Sequence, residues 1–339
     1  MMVTVDSKTL VSICMATCLR ADLFPESFQA LLKQTYSPLE ILVLADGANE
    51  ESINILKNCN DTRVRWLSTT QPSGMVPAWN LICRESKGKY LLFCADDDVL
   101  LDEAIDRQVT LMEENDRVAF CHADFIFIDD SGKELNRWIS HEGTWIKPGL
   151  EEWPRYIVRT GCCMQTTVIR RSMWDKVNGW DEDAGNPGDN SLYLKLLRVG
   201  DVGHVSHLAC KYRIRTKTPD SWEKRFRNLQ EYYQLAFKHL SSPPAKLNIP
   251  LKALERRLKR RLSRMSVPLL LSAPNKEMEA QLREWLSKNI WTGCDFGRFC
   301  QMLDWLGSLG LLESGIEFDL KLRDMARRLL RPMRKSSAA

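Results

Sequence analysis

The run Tyr90-Leu91-Leu92-Phe93-Cys94-Ala95-Asp96-Asp97-Asp98 carries a strand-type stretch straight into three consecutive carboxylates. A short apolar run bounded by polar residues reads as a strand buried on both faces, the kind found inside a parallel sheet. Its carboxyl end is where open α/β sheets place their ligands. Adjacent acids repel one another unless a cation offsets them. Hard oxygen donors of this type suit Mg²⁺ or Mn²⁺, which commonly take one or two protein carboxylates and complete their shell with water and substrate phosphates. The same aspartates can instead begin a loop and cap a helix around Asp102.

On either side of this run the chain alternates short β-rich stretches with helical ones. Strands are expected over residues 11–15, 41–44, 64–67, 90–95, 118–122, 125–128, 167–169 and 207–214. Between the first two, Phe28, Leu31 and Leu32 keep the i, i+3, i+4 spacing of a helix with one apolar face. The opening is β-α-β, and the pattern as a whole builds a mostly parallel sheet covered by helices, an α/β domain. Asp129-Asp130-Ser131-Gly132 is a turn closing a hairpin. Pro187-Gly188 precedes a helix in which Leu192, Leu196 and Val199 share a face.

From Ser221 onward the reading is helical, with Trp222, Phe226, Leu229, Tyr233, Phe237 and Leu240 at steps of three and four. Ser241-Ser242-Pro243-Pro244 reads as a linker, followed by helices expected over 251–265, 276–289, 295–308 and 318–331. The division this implies is a domain over residues 1–220 and a helical region over 221–339.

The composition bounds the function. An apolar share of 44% with 27% charged residues describes an ordinary globular chain. A net charge of +4 over 339 residues is too small and too dispersed to indicate nucleic acid as partner. The eleven cysteines are odd in number, and Cys14, Cys94 and Cys121 fall inside apolar strand-like runs. They read as reduced core residues of a cytoplasmic protein rather than a disulfide scaffold. Residues 1–7 have no basic stretch followed by an apolar one, so no secretory signal is expected, and no run approaches the roughly 20 apolar residues of a spanning helix.

Two further acids sit where a sheet of this kind gathers ligands. Asp46, beside Gly47, follows the second strand, and as a lone residue it can equally be a turn aspartate. Asp189, within Gly188-Asp189-Asn190, can cap the helix it opens or take a proton from a hydroxyl within hydrogen-bond reach.

Taken together, these segments resemble glycosyltransferase family 2, the inverting GT-A family, and in particular its spore-coat polysaccharide branch. The similarity covers residues 11 to about 215. It runs from Val11-Ser12-Ile13-Cys14-Met15-Ala16-Thr17 through Gln34-Thr35-Tyr36, Ala45-Asp46-Gly47, Ala78-Trp79-Asn80 and Lys87-Gly88-Lys89-Tyr90 to the aspartates. The order of the segments is more specific than any one of them.

The resemblance implies a GT-A, Rossmann-like mixed sheet flanked by helices with an α-helical C-terminal extension. It also implies transfer of a sugar from a nucleotide-sugar donor, usually a UDP-sugar, to a hydroxyl of a glycan, lipid-linked or protein acceptor, with Mn²⁺ or Mg²⁺ as cofactor. Asp46 matches the aspartate that bonds the donor's base. Asp97 and Asp96 match the DXD-type pair on the metal, ribose and pyrophosphate, and Asp189 matches the catalytic base. Ala16, Thr17, Cys18 and Arg20 stand where the family has part of Pro-Thr-Tyr-Asn-Arg along the donor site, so Cys18 replaces the aromatic that often stacks on the base. Arg20, Arg213 and Arg215 can add charge near the diphosphate or serve as structural arginines.

Asp96-Asp97-Asp98-Val99 also resembles the nucleophile motif of haloacid-dehalogenase phosphatases. That motif normally opens its domain, whereas here about ninety residues with their own sheet pattern precede it. A non-catalytic protein that keeps the fold as a binding module is the third reading. In the tail, Leu251, Leu254, Leu258, Leu262 and Met265 form a stripe opposite Lys252, Arg256, Arg257, Lys259, Arg260, Arg261 and Arg264, and Leu322, Met325 and Leu329 repeat it beside Arg327, Arg328, Arg331 and Arg334. Such faces either rest on an anionic membrane or pack on the protein with their charges in solvent.

Overall fold

A computed structural model describes residues 9–18, 22–140, 142–215 and 220–290. Arg20, the helices expected over 295–308 and 318–331, and the basic terminal stripe lie outside the described residues. The chain divides into two compact units, Met1–Pro219 with Glu231–Leu254, and Asp220–Gln230 with Glu255–Ala339.

The first unit opens with β1 (Val11–Thr17), α1 (Phe24–Leu32), β2 (Leu39–Asp46), α2 (Glu50–Lys57), β3 (Val64–Thr69), α3 (Met75–Glu85) and β4 (Tyr90–Ala95). β1 pairs in parallel with β2 and β4, and β2 with β3. Local chemistry sets the boundaries. Pro25 sits in the first turn of α1, where its missing N–H costs nothing. Asn49 Oδ1 accepts the Ser52 N–H at 2.9 Å and caps α2. Phe28 and Leu31 of α1 pack into the same core as Ile13, Ile41 and Leu92.

Next come β5 (Val99–Leu100), α4 (Asp106–Glu113), β6 (Val118–Ile128), β7 (Glu134–Trp138), β8 (Trp145–Lys147), α5 (Gly149–Val158), β9 (Thr167–Arg170), α6 (Arg171–Lys176), α7 (Gly188–Leu196) and β10 (Asp201–Arg213). The strand order is β3-β2-β1-β4-β9-β6-β10-β5, with β7 on β6 and β8 on β10. β9 is antiparallel to both β4 and β6, so the sheet is mixed rather than mostly parallel. The turn at residues 129–132 closes the β6–β7 hairpin, its Asp129 Oδ1 accepting the backbone N–H groups of Ser131 and Lys133.

Two expectations are corrected. The strands expected over 118–122 and 125–128 are one strand, because Asp124 is accommodated inside the fold. Its Oδ1 faces His204 Nε2 at 3.0 Å and accepts the Ser140 N–H at 2.9 Å. β10 begins at Asp201 rather than 207, since Val202, Gly203 and His204 pair with β8 on one side while the strand lies along β6 on the other.

Three further helices follow, α8 (Trp222–Ser241), α9 (Leu251–Leu271) and α10 (Lys276–Asn289). The second half of α8 belongs to the first unit, where Glu231 Oε2 accepts the Asn186 N–H at 2.9 Å and the Tyr232 hydroxyl donates to Val158 O at 3.1 Å. In the second unit, Trp222 Nε1 donates to Leu269 O at 2.8 Å. Leu254, Leu258 and Leu262 are fully buried and Met265 is half-buried, whereas Leu251, at the start of the stripe, is 42% exposed. No described helix is long and apolar enough to cross a membrane.

Candidate active site

The carboxyl ends of β1, β2 and β4 and the start of α7 open onto one cleft of about 820 Å³. Ala16, Thr17, Cys18, Asp46, Asp96, Asp97 and Asp189 all line it. Acids 143 positions apart in sequence, Asp46 and Asp189, thus face the same volume, because β2 lies two strands from β4 and α7 returns the chain to the same end of the sheet.

Asp46 is the last residue of β2 and is nearly buried. Its carboxylate accepts the Thr69 hydroxyl at 2.8 Å, and the Ser73 hydroxyl and N–H at 2.8 and 2.9 Å. These donors satisfy a charge that would otherwise be costly to bury, and they fix its orientation. Gly47 follows at φ +63°, and a Cβ there would lie 2.6 Å from the backbone nitrogen of Pro72. The residue after Asp46 is therefore glycine by both conformation and space. Thr17, fully covered at the end of β1, keeps a hydroxyl with no hydrogen-bond partner among the described residues.

The three aspartates after β4 separate into roles. Asp96 and Asp97 are 6% and 8% exposed and line the cleft. Asp98 accepts the Arg213 N–H at 2.7 Å and so ties β4's end to β10. Arg213 is a clamp: its guanidinium donates to Asp97 O at 2.8 Å, Asp129 O at 3.0 Å and Glu26 Oε2 at 2.6 Å. Arg215 pairs with Asp130 at 3.1 Å.

Among the described residues, no group of three or more His, Cys, Asp or Glu side chains forms a closed metal cage. Asp96 and Asp97 nevertheless fit a hard divalent cation of the kind that takes its remaining ligands from a diphosphate. Burial first, then the charges of Asp98, Asp97 and Asp96, push the Cys94 thiol well above its usual range.

Asp189 stands in the first turn of α7. Burial pushes its carboxyl up to about 6, partly offset by the Asn190 N–H, which donates to Oδ1 at 2.8 Å. A carboxylate of that basicity is matched to accepting a proton near neutral pH. The approach to α7 is held from two sides. Asn80 of α3 brackets Trp180, donating to its carbonyl and accepting its N–H, each at 3.0 Å. Asp181 accepts the Ser191 hydroxyl at 2.6 Å and pairs with Lys195 at 2.7 Å. Gly188 packs so closely that a Cβ would sit 2.9 Å from Val76 Cγ2.

Sequence reasoning missed the aromatic wall. Phe125 and Phe127 of β6 and Tyr212 of β10 line the cleft, with ring centroids 6.2 Å apart for Phe125–Tyr212 and 6.0 Å for Phe127–Tyr212. Trp79, packed on Phe93 and Trp180, contributes on another side. Cys162, Cys163 and Gln165 were also missed, lying on a segment without periodicity.

Residues 12–177 match the sequence profile of Glycosyl transferase family 2. A curated relative from Escherichia coli, UDP-Glc:alpha-D-GlcNAc-diphosphoundecaprenol beta-1,3-glucosyltransferase WfgD, is 21% identical over 240 residues, 70% of this chain and 89% of that protein. The chain spans only 26% of the length of two other relatives it matches. The crystal structure of S. aureus TarS 1–349 in complex with UDP-GlcNAc superposes with a TM-score of 0.62 at 13% identity, over 82% of this chain and 81% of that one. Mannosyltransferase PcManGT from Pyrobaculum calidifontis, in complex with GDP-Man and Mn2+, gives 0.55 at 12% identity over 96% and 88%. These two likenesses concern the fold, which is GT-A-like: a mixed α/β sheet with flanking helices and a helical C-terminal region.

Proposed function

This chain belongs to glycosyltransferase family 2 through residues 12–177, and on that premise we propose that it moves a sugar from a UDP-sugar to an acceptor hydroxyl, with inversion, using Asp189 as base. The observation that carries this reading is the shared cleft of Asp46, Asp96, Asp97 and Asp189. Asp46, oriented by Ser73 and Thr69, receives the base of the donor, and the unpartnered Thr17 hydroxyl and Cys18 line its path. Uracil is favoured because the E. coli relative is named for UDP-Glc and the TarS complex holds UDP-GlcNAc.

Asp97, with Asp96, would hold Mn²⁺ or Mg²⁺, which when bound supplies positive charge to the donor's diphosphate. The acceptor hydroxyl gives its proton to Asp189 while its oxygen bonds to the anomeric carbon. The anomeric C–O bond to the diphosphate breaks, and its electron pair leaves with the nucleoside diphosphate. A positioned base contributes roughly 10² to 10⁴ in rate.

In this reading the catalytic domain is residues 1–220, and the stretch Glu231–Leu254 of the region after it belongs to the same compact unit. The acceptor belongs to polysaccharide or glycoconjugate synthesis, and the relative acting on a diphosphoundecaprenol acceptor favours a lipid-linked glycan. Exposed Lys252, Arg256, Arg257, Arg260 and Arg264 on α9 then rest on the inner face of the cytoplasmic membrane.

The experiment is a nucleoside diphosphate release screen over a panel of sugar nucleotides with Mg²⁺, Mn²⁺ or chelator. Release from a UDP-sugar that stops on chelation is expected. Phosphate release from sugar phosphates, with none from any sugar nucleotide, would replace this reading with the phosphatase one.

A further inference from the structure

Two polar side chains of the cleft have no task in the reaction as set out above. Tyr212, half-buried on β10, and Gln165, 8% exposed on the turn Met164–Thr166, both line it. Gln165 Oε1 accepts the Cys163 thiol at 2.7 Å, whereas its amide nitrogen donates to no group among the described residues. The Tyr212 hydroxyl has no hydrogen-bond partner among them either. Neither atom is closed off from solvent, and the space their residues line is the cleft. Polar groups this deep are nearly always paired, so these two are open to a ligand.

The fold fixes both positions. Tyr212 lies opposite Phe127 in the β10–β6 register, with ring centroids 6.0 Å apart, and the N–H of the next residue, Arg213, reaches Asp98 Oδ1 at 2.7 Å. The turn that carries Gln165 is held on several sides. Gln108 Nε2 donates to Thr166 O at 2.7 Å, the Tyr193 hydroxyl of α7 donates to Thr167 Oγ1 at 3.1 Å, and Thr160 hydrogen-bonds Asn190, the neighbour of Asp189. Side chains placed by such a frame have little freedom left to lose on binding.

The reaction says what lies between them. In an in-line displacement the anomeric carbon stands between the departing diphosphate oxygen and the attacking hydroxyl, hence between the cation acids and the proposed base. Tyr212 reaches both sides. Burial and Cys163, then the charges of Asp98, Asp97 and Asp189, hold its phenol above the usual pKa, so it stays a hydrogen-bond donor. Burial raises the Cys163 thiol, beside Gln165, and the charges of Asp98 and Asp189 act on it too. A phenol and a primary amide are neutral partners suited to sugar hydroxyls. Among the described residues that line the cleft Arg213 is the one cation, and its guanidinium is committed to Asp97 O, Asp129 O and Glu26. A carboxylate on the sugar would meet acids there and no uncommitted positive charge among the described residues.

We propose that Tyr212 and Gln165 hold the sugar being transferred, an uncharged pyranosyl group, by its ring hydroxyls between Asp97 and Asp189. The inference rests on the transferase reading and adds to it the class of sugar and the residues that select it.

The test is calorimetric titration of the full-length protein, with Mn²⁺ present, against UDP, UDP-glucose, UDP-N-acetylglucosamine and UDP-glucuronate. The wild type is expected to bind at least one of the two neutral UDP-sugars, and UDP-glucuronate more weakly. Tyr212→Phe keeps the ring against Phe127, and Gln165→Met keeps the length of the side chain. Each should weaken binding of the neutral UDP-sugar about fivefold or more, as loss of a net hydrogen bond implies, and leave UDP binding unchanged. Unchanged UDP affinity separates a lost sugar contact from a lost fold. The proposal is overturned if either variant keeps the wild-type affinity for the neutral UDP-sugar, if UDP binding falls in parallel, or if UDP-glucuronate binds tightest. Failure of the transferase reading looks different, since the wild type then binds neither UDP nor any UDP-sugar.

Discussion

Asp189 is a buried carboxylate, and in the proposed reaction it is the group that takes the proton. Its carboxyl is pushed up to about 6 by burial, so the fold disfavours the ionised form that a base requires. Activity should therefore rise with pH through about 6 and level off above it, and a kcat/KM profile measures this; an inflection near 4 would point to an unperturbed acid. The stability sign runs the opposite way. Between the ordinary carboxylate value of 3.8 and about 6 the folded state binds more protons than the unfolded one, so stability falls as pH rises through that window. Asp189→Asn should melt no lower than the wild type at pH 7.5, and a clear drop would contradict the account. Asp46, Asp96 and Asp97 stood out because acids at the ends of apolar strands are unusual, whereas Asp189, in the first turn of α7, was singled out with them only by the likeness to a family. Arg213, left open between phosphate contact and structure, lines the cleft and also bonds Asp97 O, Asp129 O and Glu26. Phe125, Phe127 and Tyr212 were not legible, because alternation along a strand looks the same whether a face meets a core or a cleft.

At the scale of elements, what places Asp189, the proposed base, is the start of α7 against α3. Gly188 lies where a Cβ would come within 2.9 Å of Val76 Cγ2, and that atom belongs to a short branched side chain that is itself buried and has little room to move. Gly188→Ala should shift the first turn of α7 and with it Asp189. A displacement approaching 1 Å costs about 10²-fold in rate, so steady-state kinetics should show kcat reduced by tenfold or more, with most of it recovered in Gly188→Ala/Val76→Ala. An unchanged kcat in the single variant would show that α7 is not held by this contact. Element boundaries were legible where periodicity is strong, as in β1 to β4. They were not where polar residues are satisfied by distant partners: Asp124 breaks the apolar run of β6 in the sequence but is neutralised as a defect by His204 and Ser140, from β10 and the loop after β7. β5 and β8 escaped notice, and β7 was implied only by the hairpin turn before it, because strands of two to five residues depend on their neighbours more than on their own composition.

Over the whole molecule, the helical region bears on the membrane contact proposed above. Leu254, Leu258 and Leu262 of α9 are packed while Leu251 is exposed, so the proposed membrane contact rests mainly on the charges of the exposed Lys252, Arg256, Arg257, Arg260 and Arg264. Each such residue contributes about 1 kcal/mol near an anionic surface, and the attraction is screened by salt. Flotation with anionic vesicles should therefore succeed at low salt, fail at high salt and fail in Arg256→Glu/Arg260→Glu; salt-insensitive flotation would mean that something other than this face binds. The convergence of four distant acids was legible only as a likeness to a family, since no spacing rule connects Asp46 with Asp189; the sheet order does. That convergence is tested most directly by the rate of UDP formation from a UDP-sugar by Asp189→Asn at saturating donor and acceptor. A fall of roughly 10² to 10⁴ with the donor KM unchanged is the expected result. Turnover near the wild-type rate would contradict it.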